Sequence, residues 1–370
     1  MKLLVLAQTP PPLHGQSAMV QALVDGLPAR GIAVHHVNLR LSQDTGDIGR
    51  WQLRKILATS RFALQAIRAR FEHRCTTLYY VPAPPGKRGA LYRDWVLMLL
   101  CRPFFSQCIL HWHAAGLGAW LATQGNYVER VITRLLLGRA HLSIVLANAL
   151  RADAECFRPR RMAVVQNGIP SPPVTASPHN RRPFRLLFLG LCSEEKGVFA
   201  AVSAVLEANR RAEASAQDPA FVLTIAGPFD RPATGDRMHQ LCGEHSNTLK
   251  YAGIVDAGQK TKLFSECYAL LFPTRYRAEG MPLVAIEALA HDRPVIATEW
   301  RALPEIVTPD VGILVAPGNE SALAAALARL RDQPPAPLAC RTRFLAHYTL
   351  ERHLTLLADA IKGLNGSTKG

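Results

Sequence analysis

The sequence predicts an α/β protein of two doubly wound domains facing each other across a cleft. Three observations carry that expectation. A chain of 370 residues, 49% apolar, is long for one core and comfortable for two. Short apolar runs alternate with helical patterns, stop, and then alternate again. Between the two series lies 170–183, PSPPVTASPHNRRP, with the composition of a linker. The expected domains are 1–172 and 184–347, joined by 173–183 and followed by a helical stretch over 348–370.

In the first half, Lys2 to Ala7 reads as a buried strand, and Ser17 as the cap of a helix running to about Ala29. Gly31 ends that helix, and Ile32 to Leu39 is the next strand. Trp51 to Arg74 is a long, Arg-rich helical pattern. Strands follow at Thr77 to Val81, Cys108 to Trp112, Leu142 to Ala147 and Met162 to Gln166, with helices at Leu91 to Leu100 and Tyr127 to Leu137. The second half predicts strands at Phe184 to Leu189, Phe221 to Ala226, Leu249 to Ala252, Ala269 to Phe272, Pro294 to Thr298 and Gly312 to Val315. Its helices are Gly197 to Arg211, Lys260 to Cys267, Pro282 to Ala290, Ser321 to Arg331 and Leu350 to Leu364. Alternation of this kind builds a Rossmann-like parallel sheet covered on both faces, with ligands at the carboxyl ends of the strands.

Composition narrows the class. No apolar run reaches the roughly 18 residues of a membrane span, and Met1 to Ala7 is too short for a signal-peptide core. Eight cysteines are scattered with no C-x-x-C pair, as expected of reduced thiols used as small core residues in a cytoplasmic protein. The net charge of +15 is unevenly placed: 21 Lys and Arg against 8 Asp and Glu in 1–175, but 22 against 20 in the remainder. Such asymmetry points to an anionic partner for the first half.

Five segments carry chemistry. In Glu279-Gly280-Met281-Pro282-Leu283-Val284-Ala285-Ile286-Glu287 a strand leads into a loop and then a helix, with Pro282 suited to its first turn. Glu287 leans back towards that loop, and the backbone N–H groups of Gly280, Met281 and Leu283 face an anion there. Two carboxylates beside an anion site make sense if they accept from sugar and ribose hydroxyls. The bland alternative is an ordinary helix start with one capping and one solvated Glu. The second segment, Gly190-Leu191-Cys192-Ser193-Glu194-Glu195-Lys196-Gly197, again joins strand to helix and places Lys196 to neutralise a diphosphate; it is not a Walker P-loop. The third, Pro10 to Ser17 with His14 and Gly15, follows the first strand. The fourth, His111-Trp112-His113-Ala114-Ala115-Gly116, puts a histidine at a strand end, to touch a substrate hydroxyl or simply to pack. No third ligand accompanies the histidines, so a metal is not expected. The fifth, Asn167-Gly168, supplies a tight turn.

Taken in this order, the segments resemble the retaining glycosyltransferases of the GT-B fold, glycosyltransferase family 4. The resemblance covers most of the chain and is strongest from Phe184 to Val315. Its marks are the E-x7-E pair Glu279 and Glu287, Gly190 with Lys196-Gly197, Asn167-Gly168, and His113 in an H-x-x-G segment, with His111 as the alternative. The resemblance implies that Glu287 binds the donor ribose, Glu279 and His113 act at the transferred sugar, and Lys196 stabilises the leaving diphosphate. Gly15, Gly190, Gly280, Met281, Pro282, Leu283 and Arg301 complete the expected donor site. It further implies a UDP-, GDP- or ADP-sugar donor, no metal and no cofactor, and a terminal helix crossing back to the first domain. Leu191 departs from the family, which often has arginine there; Arg275, Arg277 or Arg301 is the expected replacement.

The acceptor is expected to be a glycan or a lipid-linked molecule. The segment Arg50 to Arg74 either lies in an anionic membrane interface on the inner face or packs its apolar stripe on the sheet. A nucleic-acid-binding protein is the competing class suggested by charge, but 7% aromatic content and the lack of any such module argue against that partner. Within enzymes, a nucleotide-sugar epimerase of the same fold is the other reading. A glycosidase would not need Lys196, and a phosphorylase of this fold would be a much longer chain.

Overall fold

The computed structural model describes residues 1–39, 51–173, 182–212 and 219–366, with backbone only at 51–58 and 365–366. The expected linker falls mostly on 174–181, outside the described residues. Two compact units form: Met1–Gly168 with Arg277–Met281 and the segment from Leu350, and Ile169–Tyr276 with Pro282–Thr349.

The first unit runs β1 (Lys2–Ala7), α1 (Gly15–Gly26), β2 (Ala33–Asn38), α2 (Trp51–Glu72), β3 (Thr77–Tyr80), α3 (Arg88–Cys101), β4 (Gln107–Trp112), α4 (Leu117–Thr123), α5 (Tyr127–Leu137), β5 (Leu142–Val145), α6 (Arg151–Glu155) and β6 (Met162–Val164). Its strands form one parallel sheet in the order β2-β1-β3-β4-β5-β6. The strand order reverses between β1 and β3, so the loops that follow these strands diverge and leave a crevice at their carboxyl ends. Helix α1 starts earlier than the sequence suggests. His14, not Ser17, is its cap: Ser17 N donates to His14 Nδ1 at 3.2 Å and His14 N donates to Ser17 Oγ at 3.0 Å. An imidazole takes the place of the usual Ser or Asp acceptor, which is why a reading based on capping frequencies picks the wrong residue.

The second unit runs β7 (Phe184–Leu189), α7 (Val198–Arg211), β8 (Phe221–Ala226), α8 (Pro232–Glu244), β9 (Leu249–Tyr251), α9 (Ala257–Glu266), β10 (Ala269–Phe272), α10 (Leu283–Ala290), β11 (Val295–Thr298), α11 (Leu303–Ile306), β12 (Gly312–Val315), α12 (Glu320–Asp332) and α13 (Ala339–His347). The parallel sheet order is β12-β11-β10-β7-β8-β9, reversing between β7 and β10. The inner strands β7, β10 and β11 are buried along nearly their whole length, as helices on both faces require. Helices α8 and α13 are absent from the sequence reading. The α8 segment carries two glycines and a threonine, poor helix formers, and is fixed by packing: a Cβ on Gly235 would lie 2.9 Å from the Phe229 ring. Arg341 of α13 donates to Ser171 Oγ at 2.5 Å, to Pro172 O at 3.0 Å and to Ala290 O, tying the chain after Ile169 to the end of α10.

The last helix, α14 (Leu350–Gly366), belongs to the first unit. Leu357, Ala358, Ile361 and Leu364 join the core built by Leu3, Val5, Val20, Leu23 and Tyr79. His353 Nδ1 donates to Gln166 O at 2.6 Å, and Arg161 reaches Gly363 O. Arg277–Met281 also belongs to this unit, although the sequence reading kept it within the second domain. Six of the eight cysteines are buried and none is bridged, so they serve as small core residues.

Leu357 is fully buried in that core. Leu357→Ala should therefore lower the unfolding free energy by about 2–5 kcal/mol, read by urea titration. A change within about 0.5 kcal/mol would mean that α14 is not part of the core.

Candidate functional site

The two strand-order reversals organise the candidate residues into two groups, one in each unit. In the second unit, the loops after β7 and β10 interlock. Gly197 caps α7 at φ 82°, and a Cβ there would lie 2.1 Å from Pro273 O. Only glycine permits both the left-handed backbone and that approach. Arg275 N donates to Glu195 O at 2.8 Å, joining the same two loops. Lys196 precedes the helix, its N–H bonded to Ser193 Oγ at 3.1 Å, and its Nζ lies 4.8 Å from the Tyr276 ring and 5.7 Å from the Phe272 ring. Trp300 Nε1 donates to Tyr276 O at 2.8 Å, and the Arg301 guanidinium stacks 5.3 Å from the Trp300 ring. Lys196 therefore lies over one ring, Tyr276, and Arg301 over another, Trp300, with a hydrogen bond from the Trp300 indole to the Tyr276 backbone joining the two segments. Of the other arginines, Arg275 pairs with Glu194 at 3.1 Å and Arg277 belongs to the first unit. Gly190 has φ 144° and open space where a Cβ would point, while its carbonyl packs against Gly227. Its neighbour Leu191 is exposed.

Helix α10 begins at Leu283 with Pro282 as cap, one residue later than the sequence suggests. The N–H groups of Gly280 and Met281 therefore belong to the preceding loop and not to a helix tip. Glu287 lies one turn into α10, where its Oε1 accepts from Lys260 Nζ at 2.5 Å. This lysine was not singled out from the sequence. It sits on α9, nearly thirty residues earlier, with no local pattern linking it to the carboxylate.

In the first unit, the segment Arg277–Met281 lies beside the chain that leaves β4. Ala115 N donates to Ala278 O at 3.4 Å, and a Cβ on Gly280 would lie 2.0 Å from His113 O. The His113 carbonyl, packed on Gly280, leaves no room for a Cβ at this position. Asn167 holds the end of the segment: its Nδ2 donates to Met281 O at 3.1 Å and its N–H to Met281 Sδ at 3.3 Å. Glu279, buried, lies between these fixed points. Asp153 clamps the chain just beyond His113. Its carboxylate accepts from the N–H groups of Gly116, Leu117 and Gly118 at 2.8, 3.0 and 2.7 Å, capping α4. Asp153 was also missed, because its partner helix is over thirty residues away.

His111 and His353 are buried, and His113 is half-buried beside His111. The rings of His111 and His113 are 4.2 Å apart, and His111 Nδ1 bonds the Tyr79 hydroxyl. Burial pushes the His113 pKa down to about 3, helped by His353 and His14. Burial likewise takes His353 down to about 4 and His111 well below its usual value. All three are therefore neutral imidazoles at neutral pH, suited to hydrogen bonding rather than to carrying charge. Among the described residues no group of three or more His, Cys, Asp or Glu side chains is placed to hold a metal ion. Gly15 opens α1 directly after His14.

This fold and these loops have relatives. Residues 183–333, within the second unit, match the family model described as glycosyl transferases group 1. The glycogen synthase of Mycobacterium tuberculosis is 28% identical over 234 residues, covering 60% of this chain and 52% of that protein. The amylovoran biosynthesis glycosyltransferase AmsK of Erwinia amylovora is 27% identical over 197 residues, covering 50% and 46%. The chain thus spans about half the length of these curated relatives. Among solved structures, sucrose-phosphate synthase from Thermosynechococcus elongatus superposes with a TM-score of 0.76 at 20% identity over all of both chains. HepE from Anabaena, in complex with UDP and glucose, superposes with a TM-score of 0.70 at 16% identity over 98% of this chain and all of that one. The fold is GT-B.

Two predictions follow from the first-unit geometry. Gly280→Ala forces a methyl group into the His113 carbonyl; the cost should be about 1–3 kcal/mol in thermal or urea unfolding, and wild-type stability would contradict the packing. The buried neutral histidines bind protons more readily once unfolded, so their stabilising effect is complete above the ordinary pKa near 6.5. It is lost as pH falls towards about 4 for His353 and about 3 for His113. The Tm should fall steadily between pH 7 and pH 4.5 (roughly the window set by these shifts), and His353→Gln should make the slope shallower. A Tm that stays flat over this range would contradict the assignment.

Proposed function

We propose that this protein is a glycosyltransferase that moves a sugar from a nucleotide-sugar to a hydroxyl acceptor, with retention and without a metal. The observation that carries the reading is the interlocked pair of loops at the β7–β10 reversal. There a lysine preceding the glycine-capped start of α7 lies over the Tyr276 ring, and Trp300, which donates to the Tyr276 carbonyl, carries the next cation, Arg301, over its own ring. Two cations at this position suit a diphosphate leaving group, whose negative charge grows as the glycosidic bond breaks. Arg301 thereby supplies the charge that Leu191 lacks. The Glu287 carboxylate accepts from the ribose hydroxyls, and the Lys260 ammonium, bonded to its Oε1, orients it.

Glu279 and neutral His113, fixed by Gly280, Met281 and Asn167, are hydrogen-bonding groups of the kind that suit sugar hydroxyls. Neither is offered as a covalent nucleophile. With retention, the leaving phosphate oxygen takes the acceptor proton on the face from which the nucleotide departs. Solved neighbours of this fold hold UDP or UDP-glucose, which supports a nucleotide-sugar donor. The acceptor is a glycan or lipid-linked precursor, consistent with a relative in amylovoran biosynthesis.

Thermal-shift titration with UDP-, GDP- and ADP-sugars tests this reading. One nucleotide class should raise Tm selectively, and Lys196→Ala and Arg301→Ala should each lower kcat/KM by about tenfold to a thousandfold. Full activity in Lys196→Ala would remove the diphosphate assignment, and sugar conversion without any acceptor would make the protein an epimerase.

A further inference from the structure

We propose that the outer helical face of the first unit, along α3 and α5, docks on an anionic lipid bilayer. This surface shares no residue with the proposed sugar-transfer site, and it extends well beyond the segment Arg50 to Arg74 that the sequence first suggested. The side chains of Arg50 to Leu57 lie outside the described residues, whereas the surface formed by α3, α5 and the second half of α2 is fully described.

Helix α3 packs against both α2 and α5, so the three make one continuous layer over the sheet. Of the fifteen large apolar side chains exposed among the described residues, ten lie in this layer or the turn that ends α3. Single exposed apolar residues are ordinary, but their concentration on one face is not. Leu99 is 63% exposed, Leu135 74%, Tyr127 75% and Phe71 61%. Between α3 and α5 runs a surface groove of about 240 Å³, lined by Met98, Leu99, Arg102, Pro103, Leu135 and Leu136.

The face is held in shape by hydrogen bonds from its own arginines. The Arg102 guanidinium donates to Leu136 O, to Gly138 O at 2.6 Å and to Arg139 O at 3.2 Å, closing the end of α5. Arg70 Nε donates to Phe104 O at 2.9 Å, beneath an edge-to-face contact of Phe71 and Phe104 at 6.1 Å. An apolar strip fixed in this way is presented to solvent by the fold itself.

Charge selects the occupant. Residues 59–139 hold eleven Lys and Arg against three Asp and Glu. Two of those acids, Asp94 and Glu129, are buried and paired with Arg93 and Arg88 at 2.8 and 2.7 Å, which leaves Glu72 as the exposed one. Arg61, Arg68, Arg74, Arg134 and Arg139 are exposed around the strip. Leucines and aromatics surrounded by arginine fit the boundary between headgroups and acyl chains of an anionic leaflet. A second copy related by a two-fold axis would set this cationic face against itself. Among the described residues no helix is long and apolar enough to cross a membrane, so the contact is with the surface.

Flotation of the full chain with vesicles tests the proposal. The protein should bind an equal mixture of phosphatidylcholine and phosphatidylglycerol at low salt, be released by molar salt, and ignore phosphatidylcholine alone. The double substitution Leu99→Glu and Leu135→Glu replaces exposed residues, so it should keep the wild-type Tm and nucleotide binding while weakening vesicle binding at least about tenfold. Arg134→Ser with Arg139→Ser should weaken it as well. No binding to the mixed vesicles, or undiminished binding by both variants, overturns the proposal. So does a dimer in sedimentation velocity that the leucine substitutions dissociate, since the face would then belong to a second copy.

Discussion

The second unit depends on a constraint at one point: adjacent strands β7 and β10 send their chains away in opposite directions, and the two loops must still meet. They meet because Gly197 lets the start of α7 press against the Pro273 carbonyl. That contact fixes where Lys196 emerges, and it brings Tyr276 beneath the ammonium. Trp300 then locks the Tyr276 backbone and carries Arg301. The positions of both cations thus follow from one backbone contact that a side chain at residue 197 would abolish.

The first unit shows the same economy. Gly280 is packed on the His113 carbonyl, Asn167 grips Met281, and Asp153 fixes the turn after His113. Two polar side chains and one glycine set the places of a carboxylate and an imidazole. Burial then decides the protonation state of the imidazole, because a charged His113 would be desolvated beside His353 and His14.

The sheets were legible in the sequence because their strands are continuous apolar runs between turn residues, and a parallel sheet covered on both faces demands that pattern. Phe184–Leu189, Phe221–Ala226 and Ala269–Phe272 occupy the expected positions. Helices held by tertiary packing were not legible: α8 is rich in poor helix formers, and α13 starts at Leu338 with a left-handed backbone. The loops of the site could be read from glycine, lysine and carboxylate spacing along the chain. Lys260, Asp153, Tyr276 and Trp300 could not, since each acts on a residue more than twenty positions away that only the fold brings near. The capping role of His14 and the packing role of Gly280 show the limit of residue-type reasoning, for the partner determines the function of each.

We propose that the loops after β7 and β10 hold a nucleoside diphosphate. A crystal structure of the protein grown with the nucleotide that raises its Tm tests this most directly. The account places the diphosphate against the Gly190–Gly197 loop, within reach of Lys196 and Arg301, and the ribose on Glu287 in place of Lys260. A diphosphate bound elsewhere on the chain, with Lys196 still stacked on Tyr276 and Glu287 still paired with Lys260, would contradict it.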